Sequence, residues 1–284
     1  MKNIDKQYCA VVGNPISHSL SPTIFSFWFQ KYGLNAQYLS FSLKKEDFKT
    51  VLTSLPLMNF VGVNVTMPFK EVAFESVNQK DEFSNLCQSV NAISFFEDNI
   101  KYGMNTDGIG FIKALEKNNI VQELSKQKIL VLGAGGASKS ICTSLLKRNV
   151  ASLTISNRTA EKAKGLVYYL KKHFPHASIV FLDWESKENG FSTFDGLVNT
   201  TCLGMKGYPP LDITFHDMNK NMWIYDIVYN PLKTPLLLAA QEKRLYIMDG
   251  LDMLIFQAYP CFESWFGFQP GFYSELRQKL ESCL

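Results

Sequence analysis

Residues 128–138 read Lys-Ile-Leu-Val-Leu-Gly-Ala-Gly-Gly-Ala-Ser, an apolar run that breaks abruptly into glycines, and a helix-like segment, Ser138 to Lys147, follows at once. Few folds accommodate this succession. A strand delivers the chain to a tight turn at Gly133, and Gly135 lets the main chain come close to another group. The helix then aims its unpaired N–H groups and positive dipole end at the same spot. A turn of this kind suits a pyrophosphate. Ser138 stands where the usual pattern has Gly or Ala. An ordinary tight strand–helix turn is the plainer alternative, but the strand–turn–helix context favours the phosphate.

Strand and helix patterns alternate on both sides of this unit. Before it, Tyr8–Val12, Tyr38–Phe41 and Val61–Val65 read as strands, and Val90–Phe96 as a strand with a hairpin turn at Glu97-Asp98-Asn99. Ser21-Pro22 opens a helix with Ser21 as the expected N-cap, and Gly33 closes it. Lys44–Ser54 reads as an amphipathic helix stopped by Pro56, and Pro68 as the start of another. Ile109–Asn118 is a helix leading to the glycines. After them, Leu153–Ser156, Ile179–Leu182, Gly196–Val198, Trp223–Ile227 and Leu245–Met248 read as strands, with helices at Thr159–His173 and Thr234–Lys243. The expected fold class is α/β in two parts: a mixed or parallel sheet covered by helices, then a Rossmann-type doubly wound sheet. The aromatic-rich helical tail, Leu251–Gly267 and Gly271–Cys283, is expected to pack back on the first part or between the two. Its Tyr259, Phe262, Trp265 and Phe266 stripe reads as packing.

Composition excludes several functions. The net charge of +3 is too small to argue for nucleic acid or an anionic membrane. No uninterrupted run of about 18 apolar residues exists to span a bilayer. The first twelve residues lack the apolar stretch of a signal peptide. The six scattered cysteines read as buried free thiols, which suits a cytoplasmic protein. His18 reads as a backbone or capping residue. His173 and His176 flank Pro175 in a surface loop, and no metal site is expected.

The cofactor class follows from the second strand of the glycine unit. An NAD site places Asp or Glu about 20 residues after the first glycine, against the ribose hydroxyl. Here the strand ends in Ser156-Asn157-Arg158-Thr159 with no acid, and Arg158 lies 25 residues beyond Gly133. An arginine there can grip a 2′-phosphate bidentately. Lys162 adds a second cation and Thr159 a hydroxyl. A solvated Arg158 is the alternative, but a cation at a helix N-terminus is electrostatically unfavourable. The expectation is NADP(H).

A second polar set lies in the first part. Ser19 and Ser21 fall where a strand turns into a helix, a position suited to a carboxylate or to plain capping. Asn64 and Thr66 alternate at a strand end and so share a face. Lys70 follows in the first turn of a helix, where the dipole disfavours it. Asn91 follows Val90 at another strand, and Asn105-Thr106-Asp107-Gly108 joins the two parts, a good place for a group that faces the cleft.

Together these segments resemble the shikimate dehydrogenase family over residues 8–270. The resemblance is carried by Gly13-Asn14-Pro15, His18-Ser19-Leu20-Ser21-Pro22, Asn64-Val65-Thr66-Met67-Pro68-Phe69-Lys70, Ser89-Val90-Asn91, Asn105-Thr106-Asp107-Gly108 and Gly133-Ala134-Gly135-Gly136-Ala137. It continues in Asn157-Arg158-Thr159, Tyr229-Asn230-Pro231, Asp249-Gly250-Leu251, Met253-Leu254 and Gln257. It implies a substrate-binding and catalytic domain at 1–107, an NADP-binding domain at 108–250, and helices at 251–284 that return to the substrate domain. It implies that Ser19 and Ser21 hold the substrate carboxylate, with Thr66 nearby. Asn64, Asn91, Asp107 and Gln257 would bond ring hydroxyls, and Tyr229 would line the pocket. Lys70 and Asp107 would form the catalytic pair. Gly250 and Met253 would border the nicotinamide, and Thr201 and Cys202 would lie along the cofactor.

The implied reaction is the reversible reduction of 3-dehydroshikimate to shikimate by NADPH, in a monomer or homodimer with a small-molecule substrate. Acid–base chemistry at the reacting oxygen suits either Lys70 or Asp107 as the formal base. A relative acting on quinate, and a non-catalytic ligand-sensing homologue, are the alternatives; the latter would be expected to lack Lys70 or Asp107. Four residues depart from the family pattern: Ala92 where Thr is common, Asp252 where Gly is common, and Cys202 and Leu203 in the cofactor loop. The Asp252 charge is expected to repel part of the cofactor or to face solvent.

Overall fold

Among the residues described by the computed structural model, 6–119 and 124–284, two six-stranded sheets organise the chain. Each is the centre of its own unit. One unit takes the residues up to Asp107 together with Leu254–Cys283, and the other takes Gly108–Met253.

The first sheet contains β1 (Gln7–Gly13), β2 (Ala36–Ser42), β3 (Phe60–Val65), β4 (Gln79–Lys80), β5 (Ala92–Phe95) and β6 (Lys101–Met104), in the order β2-β1-β3-β5-β6-β4. β1 runs parallel to β2 and β3, while β5 runs antiparallel to β3 and β6. The sheet is therefore mixed. Its helices are α1 (Ser21–Tyr32), α2 (Phe48–Ser54), α3 (Lys70–Ser76), α4 (Glu82–Cys87), the start of α5 (Asp107–Lys117), most of α9 (Leu251–Phe266), and α10 (Ser274–Glu281). One core joins Val12, Phe48, Leu52, Val63, Val65, Phe69 and Ile93. A second is aromatic: Phe25 and Trp28 of α1 lie 6.1 and 5.2 Å from the Phe262 ring of α9, and Phe25 stacks on Tyr38 at 4.4 Å. The tail stripe is thus packing within this unit.

Local boundaries differ from the sequence reading in instructive ways. Ser21 is the first helical residue rather than the cap; Leu20 precedes it without a side-chain cap, and the Ser21 N–H donates to Ser19 Oγ at 3.3 Å. Lys44–Ser54 is not one helix. A 3₁₀ turn at Lys45–Asp47 precedes α2, and another at Leu55–Met58 carries Pro56 near its start, where a missing N–H costs nothing. α3 begins at Lys70 rather than at Pro68. β4 and α4 have patterns too short for periodicity to reveal.

The second sheet contains β7 (Lys128–Leu132), β8 (Ser152–Ser156), β9 (Ile179–Leu182), β10 (Gly196–Asn199), β11 (Trp223–Asp226) and β12 (Tyr246–Met248). The order is β12-β11-β10-β7-β8-β9, and every pairing is parallel. β10 and β11 are buried throughout, and each is apolar up to a buried polar residue at its carboxyl end, Asn199 in β10 and Asp226 in β11. The connecting helices include α6 (Gly136–Lys147), α7 (Ala160–His173) and α8 (Pro235–Glu242). The strand order reverses between β7 and β10, and in such sheets the crevice at the carboxyl ends of those two strands receives the ligand.

Candidate active site

Several elements of the first unit deliver polar side chains to one place. Lys70, the first residue of α3, sets its Nζ 2.5 Å from Oδ2 of Asp107, the first residue of α5. The side chains are 18% and 8% exposed, so the pair is largely withdrawn from water. Asp107 Oδ1 accepts from Asn91 Nδ2 at 2.8 Å, and its backbone N–H donates to Asn105 Oδ1 at 3.2 Å. Asn91 is itself fixed. Its Oδ1 accepts from the Thr106 N–H at 2.7 Å, its Nδ2 lies 3.0 Å from Thr106 Oγ1 and 3.3 Å from Gln257 Oε1, and its backbone carbonyl accepts from Val65 N. Asn64 accepts from the buried Tyr38 hydroxyl at 2.8 Å and donates to Asn91 O and to Cys261 Sγ. Lys70, Asp107, Asn91, Asn64 and Gln257 thus form one connected network, with Thr106, Tyr38 and Cys261 as members.

Those last three were not singled out from the sequence. Tyr38 reads as an ordinary inward strand residue and Cys261 as a buried thiol on an apolar helix. Only Thr106 had a signal, its place in Asn105-Thr106-Asp107. Burial drives the Tyr38 hydroxyl well above the usual range for tyrosine, and pushes the Cys261 thiol up to about 11. Both are therefore neutral hydrogen-bonding groups at ordinary pH.

Other expected residues stand differently. Ser21 is buried, and Ser19, whose hydroxyl accepts from the Ser21 N–H, is half-buried beside it. Thr66 lies just past β3, held by its backbone N–H to Val12 O. His18 is exposed. Ala92 is buried in β5, opposite Asn64. Tyr229 belongs to the second unit, where burial raises its hydroxyl above the usual range.

The glycine turn lies in that second unit. Gly133 has φ +118°, a conformation that disfavours other residues, and its N–H donates to Ser156 O. Gly135 is the N-cap of α6, offers no side chain to it, and has nothing within 4 Å of where a Cβ would stand. Ala134, Gly136 and Ala137 complete the turn and the first residues of α6, whose leading N–H groups lack intrahelical acceptors. Ser138 braces the turn: its hydroxyl donates to Gly133 O at 2.6 Å and lies 2.7 Å from Thr200 Oγ1. At the tip of β8, Asn157 Nδ2 donates to Thr159 O at 2.9 Å, while Arg158, Thr159 and Lys162 are exposed. Thr159 is the N-cap of α7 without a side-chain cap bond. An open space at Gly135, an uncapped helix start and an exposed arginine at the strand tip fit a phosphorylated dinucleotide.

The loop after β10 is held tightly. Thr201 donates from both N and Oγ1 to Asn199 Oδ1, at 3.0 and 2.7 Å, and its hydroxyl accepts from Leu203 N. Asn199 Nδ2 donates in turn to Asp226 Oδ1 at 3.0 Å. Asp226 is fully buried, and burial lifts its carboxyl from 3.8 to about 7. Sequence reasoning missed Asp226, although an acid at the carboxyl end of an apolar strand was a usable signal. Cys202 is only half-buried and Cys283 is exposed, so the six cysteines are not uniformly internal. Gly250 has its own local reason: a Cβ there would collide with the Ile227 carbonyl. Met253 is buried in the first turn of α9. Asp252 neither faces solvent nor stands unneutralised: both its oxygens lie 2.9 Å from Lys117 Nζ.

Comparison with known proteins follows the same division. Residues 11–93 match the family model described as the shikimate dehydrogenase substrate binding domain, and residues 115–182 match that described as shikimate / quinate 5-dehydrogenase. The NADP(+)-dependent shikimate dehydrogenase of Dinoroseobacter shibae is 38% identical over 278 residues, spanning 98% of each chain. That of Methylocella silvestris is 39% identical over 272 residues, 96% of this chain and 95% of its own. The solved shikimate 5-dehydrogenase of Thermus thermophilus, in complex with NADP(H) and shikimate, aligns with a TM-score of 0.86 at 28% identity, over 98% of this chain and all of that one.

Proposed function

The chain belongs to the shikimate dehydrogenase family, and from that premise we propose that it catalyses the reversible, NADPH-dependent reduction of 3-dehydroshikimate to shikimate. The observation that carries the reading is the Lys70–Asp107 pair, withdrawn from water and braced through Asn91. The nicotinamide, when bound, supplies or accepts the hydride. Lys70, as ammonium, gives a proton to the oxygen that becomes the hydroxyl and stabilises its developing charge. In oxidation the neutral Lys70 amine takes that proton back. Asp107 orients Lys70 through one carboxylate oxygen, and Asn91 fixes the other, so the acid cannot swing away from its partner.

Ser19, Ser21 and Thr66 are assigned to the substrate carboxylate, and Asn64, Asn91, Asp107 and Gln257 to its hydroxyls. The N-terminus of α6 is assigned to the cofactor phosphates and Arg158 to the 2′-phosphate, with Lys162 and Thr159 beside it. We place the enzyme in the cytoplasm, as a monomer or homodimer; six free cysteines, four of them buried, suit a reducing compartment. The test follows NADPH absorbance with shikimate and quinate, each paired with NADP and with NAD. Fastest turnover is expected for shikimate with NADP. No turnover of shikimate with either cofactor would overturn the reading, and faster turnover of quinate would move it to the quinate enzymes of the same family.

A further inference from the structure

We propose that Tyr38 and Cys261 are positioning residues that make Asn64 an acceptor-only contact, so that the ring position Asn64 meets must carry a hydroxyl. The inference rests on the functional reading above, in which Asn64 faces the substrate ring. A primary amide has two N–H donors and two oxygen lone pairs. Asn64 spends both donors inside the protein, one on Asn91 O at 3.3 Å and one on Cys261 Sγ at 3.1 Å. Its Oδ1 accepts from Tyr38 at 2.8 Å. A single lone pair on Oδ1 is what remains for a ligand.

The surroundings dictate this orientation of the amide. Asn91 O is a carbonyl and accepts only, so turning the amide over would set two oxygens against each other. The sulfur of Cys261 completes the arrangement: it accepts from Asn64, donates to Gln257 O one helical turn back at 3.4 Å, and lies 3.9 Å from the Thr106 hydroxyl. Cys261 is therefore tied to two of the residues assigned to the ring hydroxyls. Both groups are buried and stay neutral at working pH, so Tyr38 keeps the proton it donates to Asn64. With its donors spent, Asn64 rewards a ring hydroxyl and gives nothing to a carbonyl or a bare methylene at that position.

The experiment compares C261A, C261V, C261S and Y38F with the unaltered enzyme, measuring kcat and KM for shikimate, KM for NADP and the melting temperature. Removing the sulfur (C261A, or C261V at closer volume) or the Tyr38 hydroxyl is expected to raise KM for shikimate roughly threefold to tenfold, the effect of one ordinary hydrogen bond. KM for NADP and kcat should stay within about twofold, and C261S, which keeps an acceptor and a donor, should restore KM. The effect should also vanish with the shikimate analogue lacking the hydroxyl that Asn64 contacts. A KM for shikimate unchanged in both C261V and Y38F would overturn the proposal, as would equal losses in kcat and in both KM values, or loss of folding in every variant including C261S. Wild-type enzyme without shikimate turnover would instead overturn the functional reading itself.

Discussion

Lys70 and Asp107 each begin a helix, and their side chains meet at 2.5 Å. A helix N-terminus disfavours a cation and favours an anion. Lys70 stands against its own helix, therefore, and Asp107 stands with its own. Their pairing offsets the unfavourable half and holds an ammonium where α3 alone would push it toward solvent. A proton donor is thereby presented from the start of a short helix without a long flexible reach.

Replacing Lys70 with Ala should lower kcat by about 10²–10⁴, the range for loss of one acid–base group, and change KM for shikimate much less. Steady-state kinetics with NADPH checks this. A variant with near-normal kcat would remove Lys70 from the chemistry.

Arg158→Ala should weaken NADPH binding far more than NADH binding, because only the former carries the 2′-phosphate. A charge-assisted contact of this type is worth about 1.5–3 kcal/mol, or at least tenfold in affinity. Fluorescence titration with both cofactors decides it; equal losses would assign Arg158 to solvent.

Asp226 should make stability depend on pH in an unusual direction. Burial raises its carboxyl from 3.8 to about 7 in the folded chain. Between those values the folded state holds a proton that the unfolded state has released, so stability falls as pH rises through this window and levels off above it. The donors Asn199, Val228 N and Thr234 reduce the cost of the ionised form. Relative to Asp226→Asn, the unaltered protein should lose up to about 4 kcal/mol between roughly pH 4 and 7. Parallel melting curves across pH measure the difference; parallel profiles for the two proteins would contradict it.

Asp252→Asn should leave KM for NADP within about twofold and lower the melting temperature. Lys117 already neutralises the carboxylate through both oxygens, so the charge projects little field toward a ligand. A large gain in NADP affinity on removing the charge would show that the ion pair does not shield it.

The two α/β units and the glycine turn were legible because their signals are local. Apolar runs of four or five residues between helix patterns mark strands buried on both faces, and a glycine with positive φ followed by a helix start is a property of adjacent residues. Helix starts were read less well. Ser21 and Pro68 carry the right chemistry for an N-terminus, yet the backbone began α1 at Ser21 itself and α3 two residues after Pro68. The burial of Asp252 is illegible for a different reason. Its partner lies 135 residues away, and no local pattern announces Lys117 as a neutralising cation.

By itself the sequence determined which segments become strands, where the backbone must turn at Gly133, and which residues carry useful chemistry, since each depends on side chains close along the chain. Only tertiary structure decided what those residues do to one another. Asn64 draws its partners from 26, 27 and 197 positions away, and Lys70 meets an acid 37 residues further on. The antiparallel pairing of β3 with β5 and the packing of α9 on α1 bring these groups together. The resulting distances depend on how buried surfaces fit, which no run of neighbouring residues encodes.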